Sequence, residues 1–269
     1  MPPFQQNQFG YGAGVGYAPS AAQVDQGLRA FMLGVYNNMI LGLAVSALVA
    51  LGVNKLAVTQ AIEAAGRNGA GQAVRMGGQY LTQFGVTLYT TPLMWVVALA
   101  PLAFIFFFTF RMEKMSSTAA RGTFLAFAAV MGASLSTVLL RYTGASVVQT
   151  FFVTAAAFGG LSLWGYTTQR SLTEMGSFLM MGVIGLVLAG LVNIFLQSSA
   201  LQFVISGLGV LIFAGLTAYD TQKLKEMYLY GNYDGETAAK ASVFGALTLY
   251  LDFINMFQFL LAFMGNKNE

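Results

Sequence analysis

The sequence contains no cysteine and no histidine. Disulfides, thiol chemistry, Cys/His zinc sites, serine–histidine–aspartate triads and histidine-ligated haem are thereby excluded. Charge is scarce as well: 9% of residues are charged, where a soluble domain carries about a quarter. The formal net charge of +3 is small and scattered, so no nucleic-acid partner is expected. Any site must be built from carboxylates, Lys and Arg, hydroxyls, amides and backbone. Nothing in that inventory points to an enzyme or to a bound cofactor.

In place of charge the chain carries apolar residues, 57% of the total, with a mean hydropathy of +0.66. That composition describes an all-α integral membrane protein. Residues 1–25 are rich in Gln, Gly, Tyr and Pro and contain no apolar run, so they read as a disordered tail. Without a basic segment followed by an apolar stretch the tail is not a cleaved signal peptide. The domain division is a tail over 1–28 and a transmembrane domain over 29–265.

Seven segments approach the ~20 apolar residues that a bilayer requires. They lie at about 31–53, 91–110, 122–140, 145–166, 176–196, 200–219 and 243–264. The connection 54–89 is too polar to span, and its Ala/Gly content suggests an interfacial helix or loop. Small residues recur at a spacing of four, Ala128, Gly132 and Ser136 in the third span and Ala156 and Gly160 in the fourth, where they let helix backbones approach. Pro101 should kink the second span.

The ten acidic residues sort simply. Eight fall in the tail, loops or helix ends. The other two, Asp220 in 216-LTAYDTQKLKEMY-228 and Asp252 in 249-LYLDFINMFQFLLAFMG-265, lie within or beside apolar spans. A carboxylate near the centre of a membrane helix costs about 2.5–3.5 kcal/mol on insertion scales, so it calls for a partner. The two spans are consecutive and joined by 231-GNYDGE-236, whose glycines favour reversal. With Tyr233 as the tip, Asp220 is 13 residues back and Asp252 is 19 residues on. At 1.5 Å per residue the difference in depth is roughly 9 Å, within reach of helix tilt, an uneven turn or a bridging water.

Two carboxylates about 4 Å apart repel by about 4 kcal/mol at an effective dielectric of 20, so such a pair is expected to share a proton near neutral pH. Deprotonated, it suits a hard cation such as Ca²⁺; titrating, it suits proton relay. Each aspartate could instead serve only a helix terminus or a hydroxyl network.

The motifs 219-YDTQKLK-225 and 246-ALTLYLDFINMFQFLLAFMG-265, with 158-FGGLSLWGYTTQRSLTEMG-176 and 190-GLVNIF-195, carry a resemblance. Over residues ~29–265 the chain resembles the Bax inhibitor-1, or transmembrane Bax inhibitor motif, family, particularly its bacterial members. The resemblance implies a seven-helix fold with the last helix central, surrounded by the other six. It implies a pH-sensitive calcium leak in the inner membrane, with Ca²⁺ as the transported ion and Asp220 and Asp252 as sensor and candidate Ca²⁺ ligands. It also implies a gating lock in which Arg111, in 106-FFFTFRMEK-114, engages Asp220. On its own Arg111 reads equally as a topological anchor. The chain departs from bacterial relatives at Ala100, where a glutamate occurs, and at Ala262, where a basic residue is common.

Two other functions fit the same residues: a regulatory protein that modulates a membrane-bound AAA protease, with the tail as its handle, and a proton-coupled transporter. The partners expected are membrane lipid, Ca²⁺ and H⁺, with the protease as the alternative. A retinal protein is excluded because Lys240 and Lys267 flank the last span rather than lie in it.

Lys and Arg near the span ends set the orientation. With the N-terminus inside, eight fall on the cytoplasmic side (Arg29, Arg111, Lys114, Arg121, Arg170, Lys223, Lys225, Lys240) and five opposite, three of them in the long first loop. A reporter fused to the C-terminus should therefore be active only when it senses the far side of the membrane. Activity confined to the cytoplasm would reverse the topology.

Overall fold

Backbone in lipid must satisfy its own hydrogen bonds, and helices do this within a single segment. The computed structural model describes residues 21–268 apart from 112, 113, 232 and 234. Residues 1–20 of the expected tail, with Glu113, Asp234 and Glu269, lie outside the described residues. The helices are α1 (Ala21–Ala57), α2 (Gln83–Thr90), α3 (Leu93–Arg111), α4 (Ser117–Arg141), α5 (Gly144–Thr167), α6 (Thr173–Leu196), α7 (Ser199–Tyr230) and α8 (Gly235–Met264). Among the described residues six are long and apolar enough to cross a membrane, and the bent pair α2–α3 brings the number to seven if it is counted as one span. The protein is an all-α integral membrane protein.

Helix α1 starts earlier than the sequence suggests. Residues 21–28, assigned above to the tail, form its first two turns, because Leu28, Phe31 and Met32 are buried against the bundle. Phe31 stacks on Tyr228 at a centroid distance of 5.0 Å. At 37 residues α1 is about 55 Å long, well beyond the hydrocarbon core.

The connection 54–89 is more than a loop or a single helix. It folds into a small antiparallel sheet, ordered β1 (Val58–Thr59), β3 (Gln79–Leu81), β2 (Arg75–Met76), followed by α2. The β2–β3 hairpin turns on Gly77 and Gly78, both with positive φ (56° and 75°), as a two-residue type I′ turn demands. The Gly77 backbone presses on the Leu140 carbonyl, leaving no room for a side chain. A satellite core of Ala57, Leu81, Val86, Leu88, Tyr89 and Leu140 fixes this cap onto the ends of α1 and α4.

Helix α3 runs on through Pro101, and the sharp bend, 64°, lies at Thr91–Pro92 between α2 and α3. A residue before proline is pushed to extended backbone, and Thr91 adopts ψ 171°.

Helix α8 is central. It packs against α1, α4, α5 and α7, while α3 rests mainly on α4 and α6 on α7, one layer further out. Half of its most apolar window is buried, against a third or less for the other long helices. The inner wall is thus four helices rather than the six implied by resemblance. Small residues allow the close crossings. Ala128, Gly132 and Ser136 all face inward, and a Cβ on Gly132 would strike the Ser46 backbone. Ala156 and Gly160 do not pack: both are exposed, and the inward face of α5 is Thr150, Thr154, Phe158, Ser162 and Gly165.

The start of α1 and the end of α8 lie at opposite ends of the bundle. At one end α1 begins beside Tyr228, and the start of α8 is tied to that of α4, where Glu236 accepts from the Ser117 amide (2.6 Å) and hydroxyl (2.9 Å). At the other end residues 265–268 are strapped to the α4–α5 turn. There Asn268 donates from its backbone to the Arg141 carbonyl and from its side chain to Leu140 and Tyr142.

Candidate functional site

Asp220 on α7 and Asp252 on α8 face each other, their carboxyls within side-chain hydrogen-bonding reach. Asp252 is only 4% exposed. No donor from the rest of the described protein reaches its Oδ2. Two ionised carboxylates are acceptors only, so the contact becomes a hydrogen bond when one of them carries a proton. Lys223 follows Asp220 by one turn on α7. Its ammonium lies 5.7 Å from the Tyr219 ring centroid.

The register of the two helices explains how the carboxyls meet. Leu224 lies against Gly245, and Phe213 stacks on Phe259 at 5.7 Å, so Asp220 and Asp252 fall between these contacts. The pairing is centred near residue 235 rather than Tyr233. The offset between the two aspartates shrinks from six residues to two, about 3 Å. The shift in register absorbs the depth difference, with no need for unusual tilt.

The rest of 219-YDTQKLK-225 holds Asp220 in place. Tyr219 fills the space left by Gly176 on α6. The Thr221 hydroxyl bonds the Thr217 carbonyl (2.7 Å) and Ser162 on α5 (2.9 Å), and Ser162 bonds the Tyr36 hydroxyl on α1 (2.7 Å). Gln222 is buried and clamps the α5–α6 loop from both sides, accepting from the Leu172 amide (2.7 Å) and donating to the Arg170 carbonyl (2.9 Å). Lys225 donates to the Tyr166 carbonyl at the end of α5 (2.8 Å) and lies over that tyrosine's ring. The residues flanking Asp252 work similarly. Tyr250, wholly buried between Phe124 and Phe127, bonds the Ser46 hydroxyl at 2.6 Å, and Phe253 packs edge-on against Phe151 and Phe158.

Other residues singled out in the sequence sit apart from the pair. Arg111, at the end of α3, is exposed and its guanidinium lies 6.0 Å from the Phe107 ring centroid. It forms no ion pair with Asp220 in this arrangement. Among the described residues no third carboxylate joins the pair. Two carboxylates offer at most four of the 6–8 oxygens that Ca²⁺ takes, so any ion held there keeps water or backbone ligands.

Residues 28–269 match the family model described as "Inhibitor of apoptosis-promoting Bax1". The chain belongs to the Bax inhibitor-1 family. It is 47% identical over 260 residues to a protein of Caulobacter vibrioides, an alignment covering 97% of this chain and 98% of that one. It is 40% identical over 245 residues to a Rickettsia prowazekii protein (91% and 93% covered). It is also 38% identical over 251 residues to the inner membrane protein YbhL of Escherichia coli (92% and 96%).

Within this Bax inhibitor-1 bundle, the supports of the pair were the part least visible in the sequence. Thr221, Gln222 and Lys225 stood inside a quoted motif without a role, and Ser162 stood inside another. Tyr36 and Ser46 gave no signal, being single polar residues in apolar helices. Gln222→Ala leaves a buried N–H and C=O unpaired, at about 1–3 kcal/mol. It should lower the melting temperature in detergent and speed amide exchange at Leu172; an unchanged exchange rate there would show that the clamp contributes nothing.

Proposed function

We propose that this protein is a pH-sensitive calcium leak channel of the inner membrane, with its N-terminus in the cytoplasm, and that the Asp220–Asp252 pair is its sensor. The observation that carries this reading is the paired carboxyls buried between two spanning helices, with Asp252 Oδ2 reached by no other donor. A carboxyl of that kind is costly in a bilayer, and intramembrane ionisable groups mark ion and proton paths. With a shared proton the pair is a closed contact between α7 and α8. With both groups ionised, repulsion of about 4 kcal/mol at ~4 Å must be relieved by separation of the helices or by a divalent cation. Four oxygens without a third carboxylate suit an ion in passage rather than a resident metal. The inner-membrane assignment is supported by the likeness to YbhL.

Asp252→Asn and Asp220→Asn preserve shape and remove one member of the pair. In proteoliposomes each should abolish the pH dependence of Ca²⁺ flux, and the double variant should be no worse than either single one. Wild-type pH profiles in both single variants would make the aspartates structural. Repeating the measurement with an imposed proton gradient separates a passive leak from a proton-coupled transporter, since only the latter follows the gradient.

Arg111 is assigned the role of lock on the strength of the family resemblance. To engage Asp220 its guanidinium must leave the Phe107 ring, so the lock is a second state of the α3 end. Arg111→Ala should raise basal Ca²⁺ leak at neutral pH about tenfold, as loss of one charge-assisted bond implies. An unchanged leak in a folded variant would leave Arg111 as a topological anchor.

A further inference from the structure

Helices α1 and α5 are linked by the Tyr36–Ser162 hydrogen bond but are not packed along their length, and the wedge between them is a cavity of about 940 Å³ floored by Phe253 of α8. It runs on into a second cavity of about 410 Å³ toward the other face, sharing Leu43, Ala47, Phe151 and Phe253 with the first. The walls are apolar almost throughout, and the volume suits a ligand-sized molecule. One end differs. Asp25 and Arg29, one helical turn apart on α1, both line the mouth, and neither makes a hydrogen bond or ion pair with another described residue.

Depth decides what fits. From Arg29 to Lys55 α1 rises about 39 Å, close to the 40–45 Å of a bilayer with its headgroups, so Arg29 sits at headgroup level. Ala47, the deepest α1 residue on the wall, is about 27 Å further along the helix, past the bilayer midplane. An apolar channel that runs through a full leaflet, with an anion and a cation side by side at the interface, is complementary to one acyl chain under a zwitterionic head. We propose that this cleft is a binding site for one phospholipid with a phosphoethanolamine head. Arg29 takes the phosphate through charge-assisted hydrogen bonds, Asp25 takes the ammonium, and one acyl chain lies along α1 over Tyr36, Phe158 and Phe253. A singly anionic phosphoglycerol head meets Arg29 equally well but offers Asp25 only neutral hydroxyl donors in place of a cation, a weaker partner.

The test does not require the protein to be a channel. The purified full chain is incubated with mixed vesicles of equal phosphatidylethanolamine and phosphatidylglycerol, extracted into detergent and weighed intact by native mass spectrometry. One phosphatidylethanolamine adduct is expected, favoured about tenfold over phosphatidylglycerol. Asp25→Asn should erase that preference, and Arg29→Ala should cut retention of both lipids. Gly159→Trp projects into the cleft from α5, where an added Cβ meets nothing within 4 Å, and should abolish the adduct while the melting temperature holds. Equal retention of the two lipids by the wild type, or an adduct that survives Gly159→Trp, would overturn the site. So would dimers that disappear in Gly159→Trp, since a second copy would then be what fills the cleft.

Discussion

Asp252 can occupy the middle of the central helix only because Asp220 arrives at the same level on α7. A lone carboxylate there would carry the full insertion cost, and among the described residues nothing hydrogen-bonds Asp252 Oδ2. Much of the surrounding architecture serves that one meeting. The α7–α8 register sets the depth of both groups. The remainder of the YDTQKLK turn ties α7 to α5 and to the loop before α6, so Asp220 is held from three sides while its carboxyl stays directed at α8.

Holding helices together in lipid is a different problem from holding them together in water. Lipid tails are as apolar as leucine, so association rests on close packing and on hydrogen bonds between helices. This bundle uses both at the same places. Gly132 lets α4 touch the α1 backbone at Ser46, and Ser46 then bonds the Ala128 carbonyl and the Tyr250 hydroxyl, joining three helices through one small side chain. Gly165 does the same for α5 against Ala218 of α7, one turn from the Ser162–Thr221 bond. The large apolar residues then face outward, among them Phe110, Phe195 and Ile184, which a lipid-facing surface requires.

The two ends of the bundle are built differently. The end bearing Lys55 and Arg141 is closed by the small sheet, by α2 and by the 265–268 strap, bonded largely through backbone with the Asn268 side chain adding two contacts. The end bearing Arg29, Lys223 and Lys225 is held by side chains: Glu236 on Ser117, Gln222 on the 170–172 loop and Lys225 on α5. Movement about the aspartate pair can therefore be accommodated at the second end without dismantling the first. The α1–α5 cleft opens toward that same end.

The sequence by itself determined the membrane class, the apolar spans and the two aspartates worth attention. Each of these depends on local composition: twenty apolar residues identify a span, and a carboxylate stands out against an apolar background. The inward placing of Gly132 was legible from spacing, but the same spacing at Ala156 and Gly160 meant nothing, because spacing cannot say which face of a helix meets a neighbour. Tertiary structure alone decided the rest. The early start of α1 depends on Tyr228 two hundred residues away, and the sheet in 54–89 depends on the α1 and α4 ends beneath it, although its Gly77–Gly78 turn could have been read. The sharp bend falls at Pro92, where the preceding Thr91 is extended, while α3 continues through Pro101. The meeting of Asp220 and Asp252 was foreseen, but their level was set by how α7 and α8 interlock, a property of two packed surfaces that neither segment carries alone.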